Sequence, residues 1–264
     1  IQPPQAAGQH LIGADFIFSD DGPPLAVIDG INLRGELAKF DPSEWQPLLQ
    51  RFNDNKNKHA PSEQPKFQPP LKIDLTVKEL ILLGNHFPNT DVVGKHDAQG
   101  WDLQLNGESL NGEIGAPDDD KLPIRLKFSR LNLSRGLSAS AAEVVDPRTL
   151  RPLSLESLAT KYGDIDLGRV SISTERINNG IRISHALAEV SAFTLHGSGQ
   201  WTNIEGINQS QLDVSVEGSS LSGLLGGFGY EIANIEGGST QLQLNALWPR
   251  SEEHTSELQS RSDL

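Results

Sequence analysis

The chain has 264 residues, with 22 Lys and Arg against 35 Asp and Glu for a formal charge of −13, and 36% hydrophobic residues. That suffices for a core in one large or two modest domains, while the acidic balance removes the cationic surface that binding to nucleic-acid phosphate or anionic headgroups requires. No apolar run approaches the ~20 residues of a bilayer-spanning helix, the longest being Leu80–Leu83 and the glycine-broken Leu221–Phe228, and the lack of cysteine excludes disulfides, thiolate catalysis and Cys-ligated metal.

Ile1 opens a chain without methionine or a charged-then-apolar leader, so an internal piece of a longer polypeptide is expected. Strands are expected near Phe16–Phe18 and over Ile31–Leu37. A helix should follow, because Asp41-Pro42-Ser43-Glu44 is a good N-terminal cap and Trp45, Leu48, Leu49 and Phe52 fall on one helical face. Residues 59–70, HAPSEQPKFQPP, read as an extended, proline-held connection. Next comes a bent strand: Leu71, Ile73, Leu75 and Val77 share one parity, and Leu80 and Leu82 take the other. Trp101, Leu103 and Leu105 then alternate with Asp102, Gln104 and Asn106 as a half-buried strand.

The bent pattern returns in LPIRLKFSRLNL, where Ile124, Leu126 and Phe128 share a parity and Leu131 and Leu133 take the other. One extra residue at a β-bulge or sharp bend restores the apolar side chains to a single face, so the copies read as one unit used twice, with a weaker echo over 152–172. Residues 136–151 read as a loop, and strands are expected over Asp166–Thr174, Gly180–Ser184 and Phe193–Trp201. Leu212, Val214 and Val216, and then Leu242 and Leu244, alternate with polar neighbours. Between them Ser219–Phe228 forms a weak helix, carrying three internal glycines and stopped by Gly229. Asp21-Gly22, Asn111-Gly112, Asn179-Gly180 and Gly237-Gly238 mark turns. No composition break divides residues 1–249, whereas 250–264 turn abruptly polar and resemble a translated sequencing adapter, a disordered tail carrying −2 of the charge.

Catalytic and metal-binding patterns are sparse. His10, His59, His86, His96, His185 and His196 show no ligand spacing, although His86 and His96 could meet across a turn. Asp118-Asp119-Asp120 lacks the spaced acids of a calcium loop and reads as a solvated turn. The glycines near Phe228 end a helix rather than open one, which aims the dipole away from a phosphate. There is no G-x-S-x-G elbow, and neither a cofactor nor a catalytic residue is expected. Trp45, Trp101, Trp201 and Trp248 all lie at apolar parity, as core or groove lining.

The succession Asp146-Pro147, Asp166-Leu167-Gly168, Gly197–Trp201, Gly229-Tyr230, Glu236-Gly237-Gly238 and Leu247-Trp248-Pro249 resembles the C-terminal region of the AsmA-like envelope proteins of Gram-negative bacteria, YhdP branch. Upstream, the 41–49 helix after INLRGEL and GWDLQLNGESLNGEI before LPIRLKFSRLNL follow the same order. The resemblance implies a periplasmic segment of an inner-membrane-anchored protein. Its fold would be mainly β, an extended, twisted antiparallel sheet curled into an open groove with two short amphipathic helices. Its implied partners are phospholipid acyl chains and, through other parts of the protein, the inner and outer membranes.

The residues fit such a groove independently. Hydrocarbon exposed to water costs about 0.8 kcal/mol per CH₂, and alternate side chains of successive strands form a non-directional face that removes that cost. The expected lining is Ile73, Leu75, Val77, Trp101, Leu103, Leu105, Ile124, Leu126, Phe128, Leu212, Val214, Val216, Leu242 and Leu244, with Asp102, Gln104, Arg125, Lys127, Asp213 and Gln243 on the wet face. Alternation alone equally fits a closed β-sandwich acting as a structural or protein-interaction module, whose inner faces meet each other. A hydrolase on a β scaffold would instead need converging carboxylates in a polar cleft.

Overall fold

Residues that alternate apolar and polar bury one face of a strand and wet the other, and this pattern commits most of the chain to sheet. The structure, a computed structural model, describes residues 13–18, 30–42, 70–82, 84–134, 145–227 and 238–250. The strands are β1 (Gly13–Ile17), β2 (Gly30–Leu37), β3 (Leu71–Leu82), β4 (Asn85–Asp97), β5 (Gly100–Asn106), β6 (Leu110–Ala116) and β7 (Ile124–Leu133). They continue as β8 (Leu153–Tyr162), β9 (Ile165–Ile177), β10 (Gly180–Glu189), β11 (Phe193–Ile204), β12 (Ile207–Gly218) and β13 (Thr240–Arg250). A 3₁₀ turn (Pro147–Thr149) precedes β8, and a short helix, α1 (Leu221–Gly227), follows β12.

All thirteen strands form one sheet in chain order, with β1 and β13 at its two ends, so the sheet is open rather than closed into a barrel. Most neighbours are antiparallel, as expected, but β1–β2, β2–β3 and β7–β8 are parallel. A parallel join needs a connection that returns the length of the strand. Between β7 and β8, residues 145–152 are the described part of that return.

The expected bends are present and aligned. On β3 the inward side chains switch parity between Val77 and Leu80, and on β4 they switch between Phe87 and Thr90. The register of β3 with β4 continues unchanged across this point, so both strands bend together. Asn89 takes φ 46° at the bend, a left-handed conformation that asparagine tolerates better than most residues. On β7 the bend is a bulge: Gly112 faces Phe128, but Asn111 faces Arg130. β2 reaches the same level through Phe40, which bridges to Leu80, and β8 through Ser157 and Thr160. The bends thus form one crease across β2–β8.

At this crease the inner face folds onto itself. Leu75, Val77, Leu80, Phe87, Val92, Leu105, Leu110, Phe128 and Leu131 form one buried cluster, with Ile73, Ile114, Leu126 and Leu155 packed against it. Each fully buried side chain of this size contributes roughly 1.5–3 kcal/mol.

One expected turn is corrected. Asn111-Gly112 is not a turn: it lies inside β6, and the chain reverses just before that strand, where Gly107 N–H donates to the Leu110 carbonyl. The β11–β12 hairpin turns at Glu205-Gly206, with φ 53° and 87°, and Asn203 Oδ1 accepts the Gly206 N–H. Positive φ at both positions matches the twist of the flanking strands. Of the two expected helices, the second is α1, and the first lies outside the described residues beyond Pro42, as do the 59–69 connection and the tail beyond Arg250.

Candidate functional site

Strand pairing places the alternating apolar residues in rows on one face. One row runs Ile73, Gly94, Leu103, Ile114, Leu126, Leu155, Ile172. Beside it runs Leu75, Val92, Leu105, Gly112, Phe128, Ser157, Val170. Trp101 sits one row further from the crease, between His96 and Ala116, and Ile124 pairs with Leu153. Beyond the crease, Ala186, Gly197, Val214 and Leu244 make one row, and Ile183, Gly199, Leu212 and Ala246 another. Ala188, Leu195, Val216 and Leu242 lie to one side, and Ile181, Trp201, Ser210 and Trp248 to the other.

The rows differ in what covers them. Leu75, Val77, Leu105 and Phe128 are buried among their own neighbours, while Ile73, Trp101, Leu103, Ile124 and Leu126 are half-buried. Leu212 and Val214 are half-buried, Val216 is buried with Phe193, and Leu242 and Leu244 are 52% and 53% exposed. Trp248 is also exposed. The apolar face therefore passes from a filled core at the crease to bare side chains at β13.

Both ends of the β10–β12 part of this face are covered. α1 packs on β11 and β12 near Phe193, whose ring lies where a side chain on Gly227 would stand. At the other end the 3₁₀ turn packs on β10 and β11 with Pro147 buried, and Asn208 Nδ2 donates to the Val145 carbonyl at 3.2 Å. Asn208, 2% exposed, has the same parity as Val214 and Val216 and also accepts from Asn203 Nδ2 at 2.7 Å. The turn is stiffened internally. Asp146 accepts from Arg148 N–H and from its guanidinium at 2.6–3.0 Å, and these bonds, the side-chain ones first, hold the Asp146 carboxyl below the usual carboxylate range.

The opposite face is polar. Asp102, Gln104, Arg125, Lys127 and Gln243 are exposed and Asp213 is half-buried. Its shallow clefts mix charges of both signs, as around Lys95, Asp102, Glu113, Arg125 and Lys127. Asp97, below its ordinary pKa, is held there first by the Gln99 backbone N–H and then by the Lys95 side chain.

The histidine and acidic candidates separate. His86 and His96 lie ten residues apart on the one strand β4, on either side of its bend, and do not meet across a turn. His86 pairs with Glu79 at 2.7 Å; His96 pairs with Asp118 at 2.9 Å and meets the Trp101 ring in a tilted contact, centroids 4.8 Å apart and planes at 51°. Asp118 faces His96, Asp119 accepts from Lys121 N–H and Asp120 meets Arg176, so the three carboxylates have three different partners. Among the described residues no three His, Asp or Glu side chains are grouped to hold a metal ion.

Sequence reasoning missed the cover supplied by Val145 and Pro147, since Asn208 reaches Val145 across 63 positions and nothing local marks the pair. The chain belongs to the YhdP protein family, which it matches over residues 4–257. Comparison with curated proteins and with solved structures gives no match.

Proposed function

We propose that the chain is a periplasmic segment of an intermembrane phospholipid conduit in the Gram-negative envelope, sheltering acyl chains along the apolar face of its open sheet. The observation that carries this reading is the row of bare apolar side chains on β12–β13, where Leu242, Leu244 and Trp248 stand exposed beside half-buried Leu212 and Val214. Placing hydrocarbon there recovers about 0.8 kcal/mol for each CH₂ removed from water. The contacts are non-directional, so a chain can slide along the rows without breaking specific bonds. Membership of the YhdP family supports the envelope setting. No nucleophile or metal takes part, and the inner and outer membranes are reached through other parts of the protein.

In this reading Leu103, Leu126, Leu212, Val214, Leu242 and Leu244 touch the guest, and the buried Leu75, Val77, Leu105 and Phe128 hold the floor in shape. Leu212→Asp or Leu244→Asp in the full-length protein is expected to abolish lipid transport while secretion and folding stay normal. A photoreactive residue at Leu244 should cross-link to phospholipid acyl chains. Normal transport by folded variants, together with no lipid adduct, rejects the reading. Cross-linking to protein alone supports instead an interaction module, the reading favoured by the self-packed crease.

A further inference from the structure

Backbone ladder bonds fix each strand against its neighbour, and the ladder of this sheet is uneven. β11 meets β12 residue for residue from Phe193–Gly218 to Ile204–Ile207, and β12 meets β13 in the same way. β9 and β10 are in close contact, yet among the described residues they match in register only at His185–Ser173 and Glu189–Gly168, and the register shifts between the two. On its other edge β10 slips again, between Ile183 and Ala186, against β11. Side chains bridge the β9–β10 seam in place of the backbone. Ser184 Oγ donates to the Ser173 carbonyl at 3.1 Å, Ser171 Oγ and His185 Nε2 lie 3.1 Å apart, and the Arg182 guanidinium donates to Glu175 at 3.0 Å. All three bonds are exposed, where water competes and side chains hold an angle only loosely.

The seam divides the sheet where its character changes. On one side stands the part that carries the buried crease cluster, and on the other the β10–β13 wall with bare Leu242 and Leu244. One element crosses it. The 145–149 turn is anchored on the first part, because the Arg151 guanidinium donates to the carbonyls of Pro117, Asp119 and Leu122, and Arg176 of β9 donates to the Leu150 carbonyl. It is seated on the second, with Pro147 buried against β10 and β11 and Asn208 Nδ2 bonded to the Val145 carbonyl. A turn held on both sides of a weakly laddered seam is a strut. We infer that β9–β10 is the joint at which the β10–β13 wall turns relative to the rest of the sheet, and that the 145–149 strut sets its resting angle and limits its swing. The angle sets the width of the groove, and so the room left for a guest. That use rests on the lipid-lane reading above, whereas the joint does not.

The chain has no cysteine of its own, so introduced cysteines can carry paired spin labels. Asp74 with Glu156 (β3 to β8) and Glu156 with Gln243 (β8 to β13) are exposed pairs each five strands apart, the first within one part and the second across the seam. Pulsed dipolar spectroscopy of the full chain is expected to give a distance distribution roughly twice as broad across the seam as within the first part, and Asn208→Ala to broaden the cross-seam distribution alone. Equal widths in the two pairs overturn the joint, and a cross-seam width that Asn208→Ala leaves unchanged overturns the strut. Should Asn208→Ala not fold, Pro147→Ala takes its place. To test the use, Glu175→Cys with Arg182→Cys is bridged across the seam by a short bis-methanethiosulfonate that a reductant releases. Quenching of tryptophan emission by a phosphatidylcholine brominated on its acyl chains then times release into excess unlabelled vesicles. Bridging is expected to slow release roughly fivefold or more, and reduction to restore it. Quenching with equal release rates in the bridged and reduced chains overturns the coupling of joint to groove and leaves the lane standing. No quenching in either form overturns the lane and that coupling with it, while the joint stands or falls on the distances.

Discussion

The inner faces of β3–β7 and of β10–β13 are written in the same alternating pattern, yet Val77 and Leu80 are 0% and 2% exposed while Leu242 and Leu244 are more than half exposed. The difference lies in the crease. Where a strand switches parity, residues on the two sides of the bend tilt toward one another, and Val77, Phe87 and Phe128 meet in one buried cluster within their own sheet. The registers of β11–β12 and β12–β13 run without a break, so those strands present one wall, and among the described residues no second sheet faces it. A single sheet can therefore build its core by bending, and the straight remainder is left available for something else. That contrast sets the order in which substitutions should act.

The largest effect is expected at the crease. Val77→Asp places a carboxylate at a position that is 0% exposed and packed among apolar side chains, a cost of several kcal/mol that should prevent folding. Leu80→Ala, which only opens a cavity, should cost about 2–5 kcal/mol. Leu244→Asp lies on the exposed wall and should change unfolding free energy by no more than about 0.5 kcal/mol. Denaturant unfolding followed by circular dichroism tests all three. Comparable losses at Leu80 and Leu244 would mean that the β12–β13 wall is packed in solution, and the contrast between the regions would fall.

A finer test uses two glycines at equivalent inward positions. A methyl on Gly94 would stand 2.6 Å from Leu103 Cδ2 and against the Asp102 carbonyl, so Gly94→Ala must push a strand aside, at about 1–3 kcal/mol. A methyl on Gly197 meets the Ala186 Cβ at 3.3 Å and otherwise only ordinary contacts at 4.0 Å. Both backbones are free of the left-handed conformation. Gly197→Ala should be neutral or stabilise by about 0.4–1 kcal/mol through the unfolded state. Thermal midpoints moving in the same direction for both would contradict the filled-versus-open distinction.

Much of this was legible in the alternation. The parity switches in 71–82 and 124–133 gave the bends, because an inward side chain on the wrong side of a strand is too costly for any other reading. The apolar rows followed from the same rule. Strand direction did not, since a period of two is identical read either way, and so the parallel joins at β2–β3 and β7–β8 left no local mark. Asn111-Gly112 carries a turn signature but is overridden by pairing with β5 and β7 on both sides. Whether a row is filled or bare was likewise hidden: Leu105 and Leu244 sit in similar alternating runs, and only the distant residues folded over Leu105 distinguish them.

The smallest expected effect concerns the turn that closes one end of the open region. Asp146 has its pKa lowered by the Arg148 side chain first and by the Arg148 N–H second. A carboxyl whose folded pKa lies below its unfolded value of about 3.9 stabilises the folded form above that value, and the contribution fades as pH falls through the folded pKa. The Thr149 N–H, bonded to the Asp146 carbonyl at 3.0 Å, reports the integrity of the turn. Its hydrogen-exchange protection, measured relative to a β12 amide such as Val214 to remove the intrinsic pH dependence of exchange, should stay level from pH 7 to about pH 4 and decline below. Asp146→Asn should lower the protection at neutral pH and flatten the profile. A decline already complete by pH 5 would show that a different group holds the turn, because a lowered carboxyl has not begun to take up its proton there. The β12 reference carries no comparable pair, which separates local opening of the turn from acid loosening of the whole sheet.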